Sequence, residues 1–397
     1  MVADWHAHYP MRVVTEVTPE TSAERMRARG QPTLRDRIRA FVLRIANRIG
    51  NYPSWDGSYR VTPETLREGN VGLAMSVLLR PFEEMDLSKP YAAAPEPGYF
   101  PKLIEDLEAV EREVKTQDRS QLRLVHNRAE LDECIADGAT ALVHSVEGGY
   151  LLGDGDAEIE ANCAELAARG VGYVTVAHLF FRQVATNANA VPFIPDPLYN
   201  LLFPQRGKDR LTPRGEAVVR GLVRNRILID LSHMDPPGIR ETLALLDRLD
   251  PNGEVPVIST HAGYRFGKQR YMHDEETLLQ IKRRNGVVGL IMAQHQLNDG
   301  IRKKHTETLD ESLEVIGRHI DKIAEVTGGH EQIAIGTDFD GFIKPSMGGL
   351  ETTADLRHLE EALRQRYGDE DAERMVWGNS LRVLRTMWPA SGPAAPA

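Results

Sequence analysis

Along the chain, short apolar runs alternate with longer stretches in which apolar residues recur at helical spacing. Eight runs read as strands: Val2–Trp5, Val71–Leu78, Ala139–Ser145, Gly172–Ala177, Ile227–Leu231, Val255–Thr260, Val287–Met292 and Ile333–Thr337. Most are rich in Val, Ile and Leu without strict alternation, the pattern of parallel strands buried on both faces. Helical patterns lie between them, over 156–169, 212–225, 235–250, 274–286, 306–327 and 352–367. Thr212-Pro213 and Asp235-Pro236 each pair a capping side chain with a proline at the first helical position. Eight strands mostly joined by helices predict a (β/α)8 barrel, with a doubly wound open sheet as the competing arrangement.

Two segments interrupt the alternation. Residues 16–60 are arginine-rich, with Leu34, Ile38, Phe41, Ile45 and Ile49 at helical spacing and Arg35, Arg37, Arg39, Arg44 and Arg48 between them. The spacing suits a basic amphipathic helix on a membrane surface. It also suits, and is read here as, an inserted helix packed on the barrel with a solvated face. The second segment, 178–211, is a long aromatic and proline-rich loop, too apolar for disorder and expected to be functional. One barrel domain is expected over 1–388, with "PASGPAAPA" at 389–397 as a flexible tail.

Polar residues that end the candidate strands change the picture. The first run ends in "DWHAHYP", giving His6 and His8. Later runs end in Glu147, His178, His233, His261 and Asp338. The C-terminal strand ends of a (β/α)8 barrel converge on one mouth, so these side chains are expected to share one space. In an extended segment residues i and i+2 point to one side, so His6 and His8 can bind one ion together. Imidazoles and carboxylates suit zinc or a similar divalent ion. The set exceeds the three protein ligands of a typical catalytic zinc, whereas two divalent ions bridged by one carboxylate use it fully, with a hydroxide held between them. Singly, each residue has a plainer reading: Glu147 as a cap, Asp338 as a turn former in "TDFDG".

The chain has 397 residues, 41% of them hydrophobic, enough for a sizeable core. No apolar run is long enough to span a membrane. The net charge of −10 argues against a nucleic-acid partner. Only Cys134 and Cys163 occur, which fits a reducing cytoplasm rather than a disulfide framework. With His6 so near the first residue, no signal peptide is expected, and a cytoplasmic location follows.

The blocks "SVEGG", "LIDLSH", "PVISTH", "IGTDFDG" and "WGNSLRVL" resemble, in order and spacing, those of the membrane (renal) dipeptidase family of the amidohydrolase superfamily. The likeness runs from residue 4 to about 385. It implies a zinc-dependent dipeptidase on a (β/α)8 barrel, and a homodimer as the assembly. His6, Glu147, His233 and His261 match the metal ligands, with Glu147 as the bridge. Asp338 matches the aspartate beside the bridging water. His178 resembles the histidine that orients substrate, and Arg270 in "KQRYMHDE" the arginine that holds the substrate carboxylate. His8 departs from the His-x-Asp usual in the family: it keeps a ligand but removes a negative charge, which favours anion binding and a more acidic bound water. Hydrolysis of a dipeptide or similar small amide is therefore expected, with Asp338 moving the proton and His178 steadying the oxyanion. Hydrolysis of an N-acyl amino acid, a lactone or a phosphoester on the same site, and a non-catalytic metal-binding scaffold, are the alternatives.

Overall fold

The computed structural model describes residues 1–14, 24, 26–28, 33–49, 59–85, 88–192, 194–205, 207–208, 210–343 and 345–388. Among the described residues the strands are β1 (Val2–Ala7), β2 (Val71–Leu79), β3 (Leu122–Leu124), β4 (Thr140–Glu147), β5 (Tyr173–Thr175), β6 (Leu228–Asp230), β7 (Val257–Ala262), β8 (Val287–Leu290) and β9 (Ile333–Ile335). All pairings between them are parallel, and the ring closes through β2 against β4 and β1 against β9. Eight strands, all but β3, thus form a closed barrel. They are the eight expected from the apolar runs. The short β3 was not expected; it pairs with the start of β4, while β5 takes the end of that strand.

The strands' two faces feed two cores. Val2, Ala74, Leu142, Ile229, Val288 and Ile335 belong to the larger, which includes helix residues such as Leu107, Leu166, Leu222, Leu246 and Ile320. Leu73, Met75, Val143, Tyr173, Leu228, Ile258 and Val287 belong to the second and fill the barrel with side chains of the C-terminal helix Asn379–Met387. This explains the missing alternation: both faces are apolar because both are covered.

Helices fall where the patterns placed them: Asp156–Ala168, Pro213–Arg224, Pro236–Leu249, Glu275–Arg283, Leu309–Thr327 and Leu356–Tyr367. Thr212, Asp235 and Asp274 accept hydrogen bonds from Gly215, Gly238 and Thr277 N–H as N-caps. Further helices lie outside those six patterns, among them Pro63–Glu68, Tyr99–Val114, Arg128–Ala136 and Asn379–Met387.

The two insertions pack on each other. Leu34–Ile49 is a helix, but the face it presents to the protein is not the anticipated one. Leu34 is 74% exposed and Phe41 55%, while Asp36, Arg39, Ala40 and Val42 are buried. Arg39 decides the orientation. Its guanidinium donates to Leu202 O at 2.8 and 3.1 Å and lies over the Tyr91 and Phe203 rings. A buried cation with partners on every side outweighs a few partly exposed apolar side chains. The remainder of 16–60 lies largely outside the described residues, as does the tail 389–397. The 178–211 stretch contains the helix Asp196–Leu202, and its Phe180, Val191, Tyr199 and Phe203 form a third core cluster with Val42. Cys134 and Cys163 are free and buried.

Candidate metal centre and active site

Inside the barrel, side-chain character changes with height. Above Tyr173, Leu228 and Ile258 the same faces carry Thr175, Asp230 and Thr260, and the strand ends carry Glu147 and His261. Asp230 is fully buried and accepts five hydrogen bonds, from Ser232 N–H and Oγ, Thr260 N–H and Oγ1, and Thr175 Oγ1. Thr260 Oγ1 in turn lies 3.0 Å from His6 Nδ1 and 2.8 Å from His261 Nδ1. With Thr260 donating to Asp230, its oxygen accepts from both rings, so each His Nε2 is the unprotonated nitrogen and points up into the mouth. Tyr173 Oη supports His6 Nδ1 at 2.8 Å, and His8 Nδ1 lies 3.2 Å from Val77 O.

The rings thus aimed converge on Glu147. His6 Nε2 is 3.2 Å from His8 Nε2, and Asp338 Oδ1 is 3.0 Å from His8 and 3.8 Å from His6. Beside them His233 Nε2 is 2.9 Å from His261 Nε2. Glu147 Oε1 faces His233 at 3.1 Å and His261 at 3.5 Å, while Oε2 faces His8 at 3.7 Å and His178 at 3.4 Å. Donors around one tetrahedral ion with bonds near 2.05 Å stand roughly 3.3 Å apart. The donors fall in three overlapping groups, His6 with His8 and Asp338, His6 with Glu147 and His261, and Glu147 with His178 and His233, and Glu147 belongs to two of them. Two Nε2 lone pairs that face each other repel unless a cation or a proton lies between them, and Glu147 Oε1 has no hydrogen-bond partner. The donor set therefore fits divalent metal.

Electrostatics agree. Burial works against the charged form of Glu147, yet His178, His6 and His233 hold its carboxyl well below the usual range. Burial lowers His233, and burial with the neighbouring His6 lowers His261, so both stand ready as neutral ligands.

Backbone strain gathers in the same place. His233 and Asp338 are non-glycine residues with φ of 64° and 60°. Such conformations persist where the surroundings enforce them, and they cluster at functional sites. Gly341 leaves room for the pair opposite: a Cβ there would overlap Asp338 Oδ1 and the His8 ring.

His178 joins the cluster through Glu147 and is held from behind by a residue the sequence reading missed. Glu84, fully buried, accepts from His178 Nδ1 at 2.7 Å and from Phe180 N–H at 2.7 Å. Burial opposes the imidazolium, but Glu147 and Glu84 raise its pKa to about 9. Glu84 lies past the end of β2, in the short helix Pro81–Met85, and carries no ligand-like spacing in the sequence. Asp230 was visible inside "LIDLSH" but carries no ligand spacing of its own.

Arg270 is not brought to the cluster. It is half-exposed, 3.8 Å from Asp235 Oδ2, and lines a polar cavity with Asn187, Asn189, Asn200 and Arg210. The cavity above the metal donors is a different one, floored by Glu147, His178, His233 and Asp338. Loop 178–211 separates the two: Ala188 and Asn189 line the first, Ala190, Val191 and Pro192 the second.

No helix among the described residues is long and apolar enough to cross a membrane. Residues 62–392 match the family described as membrane dipeptidase, peptidase family M19. The match begins downstream of His6 and His8, which β1 brings to the site. An uncharacterized protein in the pqqA 5′ region of Klebsiella pneumoniae is 26% identical over 284 residues, 70% of this chain and 94% of that one. Rat Dipeptidase 3 is 30% identical over 175 residues, 44% of this chain but only 33% of its own length. A metallo peptidase from Rhodobacter sphaeroides, solved with a phosphinate mimic of the dipeptide L-Ala-D-Ala, shares the fold with a TM-score of 0.67 at 20% identity, covering 98% of this chain and 99% of that one. With five sequence blocks, the closed barrel and the converged donors all in agreement, the chain belongs to the membrane dipeptidase family, peptidase family M19.

Proposed function

We propose that this protein is a metal-dependent dipeptidase that hydrolyses the amide of a dipeptide or a closely related small amide. The observation that carries the reading is the set of overlapping donor groups around Glu147. His6, His8 and Asp338 would hold one divalent ion and the His233–His261 pair a second, with Glu147 facing both through its two oxygens. Zinc suits imidazole and carboxylate donors and is the metal we assign. When bound, the ions supply Lewis acidity and water of lowered pKa.

The chain's own groups do the rest. Asp338 Oδ1, 3.0 Å from His8 Nε2 and 3.8 Å from His6 Nε2, is the group we assign to take a proton and return it to the departing amine. His178, protonated and fixed by Glu84, presents Nε2–H to charge developing on the substrate oxygen. Residues 178–180 and 190–192 of the loop line the cavity above the donors. Arg270 is assigned to the substrate carboxylate from the family likeness alone; it lines a separate polar cavity, so this role requires the loop between Asn187 and Pro192 to move aside. The free cysteines fit a reducing, cytoplasmic setting. A homodimer is carried over from the family likeness alone.

The test is metal analysis of the purified protein joined to a dipeptide screen, with Asp338→Asn beside it. We expect two divalent ions per chain, turnover of dipeptides, and at least about a hundredfold loss of kcat in Asp338→Asn with most metal retained. Turnover of lactones or phosphoesters with none of dipeptides would refute the proposal, as would full activity in Asp338→Asn.

A further inference from the structure

The cavity above the metal donors has a one-sided chemistry. Its floor is polar and its walls are mainly apolar, built from Val42, Leu79, Leu179, Phe180, Val191 and Phe342, with His295 and Gln296 as the polar groups on that wall. Its described lining contains no Lys and no Arg. The carboxylates among the lining residues are Glu147 and Asp338, both at the floor. His295 also lines it, but burial pushes its pKa down to about 4, so it adds no cation near neutral pH.

The wall is built from parts far apart in sequence. Val42 comes from the inserted helix Leu34–Ile49, Phe180 and Val191 from the 178–211 loop. All three are buried and belong to one core cluster with Tyr199, Leu202 and Phe203. Arg39 ties the helix to Leu202 and Phe203, so Val42 stands on a fixed mount. The wall is therefore preformed, and its shape and polarity are set before a ligand arrives.

Resting on the dipeptidase reading above, we infer that this cavity is a side-chain subsite for an apolar residue of the substrate, Leu or Phe class, and that it rejects acidic and basic side chains there. A buried apolar wall gains with each methylene that fills it, roughly tenfold or more per methylene. A charged side chain would lose its water and find no side chain of opposite charge on the wall, where Gln296 and His295 are the polar groups.

The experiment uses the full chain loaded with metal. kcat/KM is measured over X-Gly and Gly-X dipeptides with X as Ala, Leu, Phe, Asp or Lys, for the wild type and for Val42→Thr and Phe180→Ala. Calorimetry with phosphinate dipeptide mimics bearing a Leu or an Asp side chain gives affinity without turnover. In one of the two series, Leu or Phe is expected to exceed Ala by at least about tenfold and Asp or Lys by about a hundredfold. Val42→Thr, nearly isosteric but polar, lowers the Leu/Ala ratio severalfold, chiefly through KM. A flat series, a preference for charged X, or a ratio that neither variant moves overturns the inference. If no dipeptide is turned over, the dipeptidase reading fails, and the calorimetry still decides the subsite: tighter binding of the Leu mimic upholds it, equal or weaker binding overturns it.

Discussion

Glu84 offers the sharpest check on the catalytic geometry, because it touches no metal donor except through His178. Consider Glu84→Gln. The amide is nearly isosteric, and its oxygen can still accept from Phe180 N–H. Its NH2 then turns toward His178 Nδ1, which must give up its proton and accept. The imidazole is left neutral, with its proton on Nε2. In the wild type His178 has a pKa of about 9 and donates from Nε2 as a cation. A hydrogen bond from a charged donor contributes about 1.5–3 kcal/mol and a neutral one about 0.5–1.5 kcal/mol. The difference, about 1–1.5 kcal/mol, corresponds to roughly a tenfold loss in kcat. KM should stay within about twofold, because the bond strengthens as charge develops on the oxygen. The pH profile carries a second signature: the high-pH limb governed by His178 moves to lower pH. Steady-state kinetics across pH 6–10, with metal content and melting temperature as controls, reads both. An unchanged kcat and an unmoved high-pH limb would refute the assignment of Glu84 as the residue that positions and charges His178.

Two further predictions follow from groups away from the metal donors. Arg270→Met should raise KM about tenfold for dipeptides with a free carboxylate, while leaving kcat and the KM of their C-terminal amides unchanged, measured by paired kinetics; equal KM values for both substrate types would remove Arg270 from substrate binding. His144 is buried with neither ring nitrogen hydrogen-bonded, and burial lowers its pKa from 6.5 to about 3. The unfolded chain therefore binds a proton below pH 6.5 that the folded chain refuses. Stability is complete above pH 6.5 and falls by about 1.4 kcal/mol per pH unit as pH drops toward 3. His144→Leu should flatten the dependence of unfolding free energy on pH between 6 and 4.5 by about one proton, in urea titrations; an unchanged slope would refute it.

The sequence by itself determined the barrel and most of its mouth. Parallel strands covered on both faces must be apolar throughout, so a polar residue that interrupts such a run marks where the strand emerges. His6, His8, Glu147, His233, His261 and Asp338 were legible for that reason, and the donor spacings around Glu147 follow from barrel closure. The helix caps were legible too, because Thr212, Asp235 and Asp274 bond to backbone three residues away.

Tertiary structure alone decided what depends on distant partners. Glu84 is remote from His178 in sequence, and nothing near it signals the bond. The inserted helix turns Leu34, Ile38 and Phe41 outward, because Arg39 finds a carbonyl acceptor and an aromatic ring on the 178–211 segment that no local pattern reveals. Arg270 carries the right chemistry at the right place in the chain, yet the loop between Asn187 and Pro192 puts it in a separate cavity. Periodicity records which side of an element is covered in the average case. It cannot record a buried charge whose partners arrive from elsewhere in the chain, and those charges set the walls of this site.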